Sequence, residues 1–305
     1  MGQRGKFPLI VRVVATVGIL MVTTGCGESV PSGAGRPEAA SAGSVAFVCT
    51  LGYDDEPGRT VAVVDLATGR RSGSVSTGSL PSSAAVTPDG RYLLVTDQGD
   101  DHLAVVDTAT DAVVARIPTG LEPDAVAVSP SGALALVANL DDDTVTPVNL
   151  RTLRAGRPIA VGARPDAVVI GARTALVADL EDNAVTPIDL ATLRAAAPLA
   201  IGVGPTAVAV TPAGGASAST TASAVAWVAT GDTLVPFDIT SRRVGTPVPV
   251  GHLAEALAIA PGSTTAWVAG QDATLTEVNL ASGTTGRSIR VGGRPEAVVI
   301  APAPR

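Results

Sequence analysis

Aromatic side chains are nearly missing from this chain: three Phe, two Trp and two Tyr in 305 residues. The apolar fraction is still 46%, so Val, Ala, Leu and Ile must build the core. That favours many β-branched strands packed face to face. A basic excess is missing as well, and the formal charge of −7 argues against a nucleic-acid binder, which would carry a basic patch. Histidine occurs only at His102 and His252, both in expected loops. No GxSxG, HExxH, P-loop or CxxC spacing is present, so material for catalysis is thin. The N-terminal apolar run, residues 13–22, is ten long, short of the ~20 residues that cross a bilayer.

Arg4, Lys6 and Arg12 accompany that run, and Thr23-Thr24-Gly25-Cys26 follows it. The arrangement resembles the bacterial lipoprotein signal, in which small residues precede a Cys that is acylated and becomes the new N-terminus. The resemblance implies a signal peptide over residues 1–25, lipid attachment at Cys26, and anchoring to the outer side of the cytoplasmic membrane. An ordinary secretory signal, giving a secreted protein, is the alternative. Residues 26–44 then form the lipidated Cys and a flexible tether rich in Gly, Ser, Ala and Pro. With Cys26 lipidated, Cys49 has no disulfide partner. Cys49 shares its slot with Thr96, Ala138, Ala178, Ala229 and Ala269, which reads as a small buried position.

What the chain has in quantity is a repeat. Residues 120–150, GLEPDAVAVSPSGALALVANLDDDTVTPVNL, give the unit: a Gly-x-x-Pro turn, an apolar run, a Pro-Ser-Gly turn, a second run, an acidic hairpin and a third run. The unit's Gly recurs at Gly78, Gly120, Gly162, Gly202, Gly251 and Gly292, at intervals of 42, 42, 40, 49 and 41. A period of about 40–45 residues with four short strands per unit is the signature of propeller blades. Inner strands are expected over 84–86, 125–128, 167–170, 207–210, 256–259 and 297–300. Second strands fall over 46–49, 92–96, 134–138, 174–178, 226–229 and 266–269, and third strands over 61–65, 103–107, 145–149, 185–189, 234–238 and 275–279. A weaker fourth strand ends before each Gly.

Leu94-Val95-Thr96-Asp97, Leu136-Val137-Ala138-Asn139 and Leu176-Val177-Ala178-Asp179 resemble the Tyr-Val-Thr-Asn core of YVTN-type β-propeller repeats. The segments VAVSPSG at 126–132 and VTPDG at 86–90 resemble the family's inner strand and turn. The resemblance covers roughly residues 45–302 and implies an all-β fold: a single propeller domain over 45–305. For function it implies little, because such propellers serve as scaffolds, surface proteins and occasionally enzymes.

The repeat enters at a second strand and stops after an inner one. The simplest closure pairs residues 296–300 with the N-terminal blade, giving six four-stranded blades and no open seam; seven blades is the alternative. Pro147, Pro187 and Pro236 share one register of the third strand, and Pro158, Pro198 and Pro247 one register of the fourth. Proline donates nothing to a ladder, so the third-to-fourth pairing should break there, with the fourth strand outermost. Asp65, Asp107, Asn149, Asp189, Asp238 and Asn279 should each hold the turn that follows. Trp227 and Trp267 align with Phe47, Leu94, Leu136 and Leu176 as core between blades. Residues 213–224 enlarge one turn without apolar pattern.

Alternate loops of an up-and-down blade share a face. The Gly-x-x-Pro turns and the second-to-third hairpins together carry 19 of the 28 acidic residues, which predicts an acidic face opposed by an arginine-rich one. Hairpin acids include Asp97, Asp100, Asp101, Asp141, Asp142, Asp143, Asp179, Asp182 and Asp232. The fourth position after each repeat Gly reads Ser82, Asp124, Asp166, Thr206, Glu255 and Glu296, expected at the channel mouth just before each inner strand. Carboxylates and hydroxyls suit a hard cation such as Ca²⁺, although acidic loops also simply keep a surface soluble. Two functions follow. One is a monomeric, non-catalytic binding or scaffold module that meets an envelope protein or glycan, with the membrane reached through the N-terminal lipid. The other is a metal-dependent lactonase- or lyase-like enzyme at the channel mouth.

Overall fold

Short continuous runs of Val, Ile, Leu and Ala, punctuated by Gly, Pro and Asx, leave the backbone few choices but short strands and tight turns. The computed structural model describes residues 45–49, 58–65, 70–211, 225–251, 253–259 and 264–290. Cys26 with the expected signal segment, residues 213–224, His252, Glu296 and the expected closing strand at 296–300 lie outside the described residues.

The described residues form six antiparallel sheets in sequence order, each a meander. The first holds Val45–Cys49, Thr60–Asp65 and Arg70–Ser76. The second runs Pro81–Val86, Tyr92–Asp97, His102–Asp107 and Ala112–Pro118. The third starts with Pro123–Val128, Leu134–Asn139 and Thr144–Asn149. The fourth starts with Pro165–Ile170, Thr174–Asp179 and Ala184–Asp189. The fifth starts with Pro205–Val210, Val225–Thr230 and Thr233–Asp238. The sixth runs Ala254–Ile259, Thr265–Gly270, Thr274–Asn279 and Thr284–Arg290. The inner strands of the second to sixth sheets lie against one another in succession. This is an all-β propeller architecture.

The outer strand shows what one proline does. Where the third strand carries Pro147, Pro187 or Pro236, the outer strand splits into two-residue pieces: Arg154–Ala155 and Ile159–Ala160, Arg194–Ala195 and Leu199–Ala200, Arg243–Val244 and Val248–Pro249. One bond survives at the break, with Gly156, Ala196 and Gly245 N–H donating to the proline carbonyls at 2.7, 2.7 and 2.8 Å. The same register holds Val63, Val105 and Glu277 in the other sheets, each opposite the aligned residue of the second strand. There the outer strand stays whole and only bulges beside that register. The missing proline N–H is the difference.

Alternation along each strand sends successive side chains to opposite neighbours. Leu93 and Val95 pack against Val61 and Val75 of the first sheet, while Leu94 packs against Val126, Val137 and Val148 of the third. Leu136 meets Val168 and Ile188, Leu176 meets Val228 and Phe237, and Trp227 meets Ala254, Val268 and Val278. The core therefore sits between sheets, and Trp227 belongs to it. Trp267 is half-buried, with the Arg287 guanidinium 5.2 Å from its ring centre; Arg287 also pairs with Glu277 at 3.2 Å. Thr96, Ala138, Ala178, Ala229 and Ala269 are fully buried, as a small-residue slot requires. Asp107, Asn149, Asp189, Asp238 and Asn279 each accept from the backbone N–H groups two and three residues on. Leu136→Ala should cost ~2–5 kcal/mol, as deletion of a buried Leu does. Val114→Ala, at a site 49% exposed, should stay within about 0.5 kcal/mol. Urea unfolding of both variants checks the contrast, and equal losses would contradict a core placed between sheets.

Candidate functional site

Each of the five described inner strands begins with a slip in register. The slip falls between Pro81 and Ser83, Pro123 and Ala125, Pro165 and Ala167, Pro205 and Ala207, and Ala254 and Ala256. The residue skipped is Ser82, Asp124, Asp166, Thr206 or Glu255, so the sequence-derived mouth position is a β-bulge. A bulge re-aims one side chain out of the alternation. These residues are second in their strands rather than in the loop before them. Ser82, Asp124 and Asp166 are 2%, 7% and 4% exposed; Thr206 and Glu255 are half-buried.

Several of these side chains join the inner ring together. The Ser82 hydroxyl donates to the Pro123 carbonyl of the next sheet at 2.9 Å and meets the Thr96 hydroxyl at 2.8 Å. The Thr206 hydroxyl donates to the Ala254 carbonyl of the next sheet at 2.7 Å. The Gln98 amide donates to Asp124 Oδ1 of the next sheet at 2.7 Å. The Gln271 amide donates to Glu255 Oε1 within the sixth sheet. Among the described residues, no three of His, Cys, Asp and Glu come together to hold a metal ion.

The turns and hairpins share one face, as expected, but the hairpin acids do a structural job there. Asp100, Asp142 and Asp182 accept from the Ser79, Leu121 and Ala163 N–H of their own sheet's turn at 2.8, 2.8 and 2.9 Å. Asp101, Asp143, Asn183 and Asp232 reach the next sheet's turn instead. They accept from the Glu122, Arg164, Gly204 and Leu253 N–H at 3.0, 2.9, 2.8 and 2.9 Å. All four of these donors have positive φ, so the acceptor holds a turn that only Gly adopts at no cost. Arg164 adds exposed pairs to Asp141 and Glu181 at 3.6 and 3.4 Å, each worth under about 1 kcal/mol.

Two acids placed by the sequence on that solvated face are buried. Asp97 and Asp179 end their second strands with no exposed surface. Their sheet equivalents are Asn139 and Thr230. Each packs beneath the repeat Gly: a Cβ on Gly78 would lie 2.7 Å from Asp97 Cγ, and one on Gly162 would lie 2.6 Å from Asp179 Cγ. Their place at the end of a buried second strand, beneath the repeat Gly, takes them inward, and proximity in sequence to the acidic hairpin disguised this. His102, expected in a loop, opens a third strand and stands nearly buried with Nε2 3.1 Å from Asp97 Oδ2. The Thr77 hydroxyl donates to Asp97 Oδ1 at 2.8 Å.

Burial pushes the Asp97 carboxyl up to about 6, against the opposing pull of Thr77 and His102. Burial pushes Asp179 up to about 7, although the Thr186 hydroxyl and the Gly162 N–H favour its anion. The folded protein therefore holds the Asp179 proton more tightly than the unfolded chain does. Stability from this group is full below the ordinary 3.8 and falls as pH rises to about 7. The third sheet shows a neutral solution, with Asn139 Nδ2 donating to the Thr146 hydroxyl at 2.9 Å. Asp179→Asn should raise stability at pH 8 by on the order of 1 kcal/mol or more and change little at pH 4. Gly162→Ala should cost ~1–3 kcal/mol at either pH. Thermal melts across pH decide this; an Asp179→Asn increment that does not depend on pH would refute the buried charge.

Residues 45–155 match the family model described as "Lactonase, 7-bladed beta-propeller". No curated protein matches the chain. Among solved structures, "Kuenenia stuttgartiensis Hydrazine Synthase" aligns with a TM-score of 0.69 at 17% identity, covering 80% of this chain and 84% of that one. At that identity the likeness is one of fold, and it agrees with the propeller architecture seen in the sheets.

Proposed function

We propose that this protein is a six-bladed, YVTN-type β-propeller, anchored outside the cytoplasmic membrane by a lipid on Cys26, that acts as a non-catalytic binding or scaffold module. Its partner is an envelope protein or glycan, met through the loop faces and the channel mouth by a monomer. One observation carries the non-catalytic reading: polar residues at the mouth are spent on joining sheets, with Ser82 and Thr206 bonded to the next sheet's backbone and Asp124 held by Gln98. Six blades are supported by six described sheets, of which the first alone is described without an inner strand. The seven blades in the matched family's description apply to a match that ends at residue 155.

That same match favours the second reading, a metal-dependent lactonase-like enzyme with Asp124, Asp166, Glu255 and Glu296 at the mouth. The described members do not make a calcium shell, since no three ligating side chains converge. Under the first reading, millimolar Ca²⁺ should leave the melting temperature within about 1 °C, and lactone hydrolysis should not exceed the blank. Lactone turnover that Asp166→Asn abolishes would replace the module reading with the enzyme one.

Anchoring is tested separately. One acyl chain binds a membrane marginally and two or more bind firmly, at about 0.8 kcal/mol per buried CH₂. Expressed in a bacterium with lipoprotein-processing enzymes, the protein should partition into detergent and take up labelled lipid. Cys26→Ala should abolish both; unchanged labelling would remove the lipoprotein assignment.

A further inference from the structure

The split outer strands leave a groove of about 1120 Å³ between the third and fourth sheets, at the rim and away from the channel mouth. Pro147, Ile159 and Leu193 lie along it, and Arg154, Arg157 and Arg194 stand exposed around it. No carboxylate and no aromatic ring is among its lining residues. In a chain of net charge −7, three arginines around an aliphatic groove without one acid form a local positive field.

The neighbouring groove explains why this one is open. There Arg242, on the third-to-outer turn of the fifth sheet, donates to the Ala197 carbonyl of the fourth. Leu193 holds the equivalent place on the fourth sheet, and both residues have positive φ, 51° and 56° for Leu193 and Arg242. Ala197 and Arg157 are likewise equivalent, each following the residue whose N–H bonds the third-strand proline. An arginine spans one groove, and a half-buried leucine lines the other. The outer pieces Arg154–Ala155 and Ile159–Ala160 pair only with the third strand among the described residues, so their far side is an edge.

We propose that this groove binds an extended acidic peptide, a segment whose carboxylates meet Arg154, Arg157 and Arg194 while alternate apolar side chains enter the aliphatic groove. An edge strand supplies backbone bonds to an added strand, and period-two alternation sends charge one way and apolar groups the other. A sugar would need ring faces to stack on, and the groove offers aliphatic side chains instead. The proposal rests on the module reading but uses a surface apart from the mouth.

The test uses the purified full chain and a fluorescent peptide of about eight alternating Glu and Val residues, with a Lys–Val counterpart and dextran sulfate alongside. The acidic peptide should raise anisotropy to saturation and the basic one should not. Leu193→Arg, which copies the plug of the next groove, and the paired exposed changes Arg157→Glu and Arg194→Glu should each weaken binding at least about tenfold, while Asp124→Asn should leave it within about twofold. If Leu193→Arg fails to fold, the arginine pair decides. Binding unaffected by these variants, loss on Asp124→Asn, or dextran sulfate binding where the peptide does not would each overturn the proposal. Failure here leaves the module reading standing, since that reading falls only to lactone turnover.

Discussion

In the second to fifth sheets the repeat Gly closely approaches the polar tip of the second strand, and this contact sets the height of the turn. Asp97, Asn139, Asp179 and Thr230 fill the space beneath Gly78, Gly120, Gly162 and Gly202, and a Cβ there would approach within 3 Å of side-chain atoms. With that gap closed, the turn sits low enough for hairpin acids to grip its N–H groups. The grip stabilises a left-handed residue before the proline, at Leu80, Glu122, Arg164 and Gly204. A chain leaving the turn this way enters its strand one residue out of step, which produces the bulge. The bulge then aims Ser82, Asp124, Asp166 and Thr206 away from the ordinary alternation. The sixth sheet keeps the left-handed Leu253 and the bulge at Glu255 although nothing lies within 4 Å of a Cβ on Gly251, so the left-handed turn is the step that leads to the mouth position, and the close glycine contact supports it in the four sheets before.

The same contact explains the charge distribution. An isolated buried carboxylate is expensive, and it answers by holding its proton. Asp97 and Asp179 do so, while Asn139 and Thr230 fill the same place without the cost. The exposed hairpin acids are a different population. Asp101, Asp143 and Asp232 hold N–H groups of the neighbouring sheet, so their charge strengthens a bond between blades. Much of the acidic face is therefore a rim of staples.

How much of this the sequence discloses depends on the range of the interaction. The strand runs, the broken outer strands opposite Pro147, Pro187 and Pro236, and the Asx turns at Asp107 or Asn149 are local, and one repeat suffices to read them. Sharing of one face by turns and hairpins follows from meander topology alone. The burial of Asp97 and Asp179 was not legible, because a run such as Asp-Gln-Gly-Asp-Asp looks like one solvated loop. The signal was there in the alignment with Asn139 and Thr230, since a slot that accepts Asp, Asn and Thr is defined by hydrogen bonding and size. His102 was hidden for the same reason, lying one residue past that loop. The bulge was missed because a two-residue period has no way to register an extra residue before it starts.

In a scaffold of copies, the copies cancel, and individuality lies in departures from the unit. Gln98 stands where Leu140 and Leu180 stand in the next two sheets, and it alone among these reaches across to a mouth carboxylate. Glu277 replaces a proline, keeps the outer strand whole and recruits Arg287, which lies over Trp267. Arg242 replaces Leu193 and spans a groove that is open one sheet earlier. Each departure alters a contact between neighbouring strands or sheets and leaves the meander itself intact, because the meander is fixed by glycine, proline and Asx positions that these changes do not touch. Binding specificity in this molecule is therefore free to vary at the seams between blades, where one substitution opens or closes a groove without disturbing the fold that holds it.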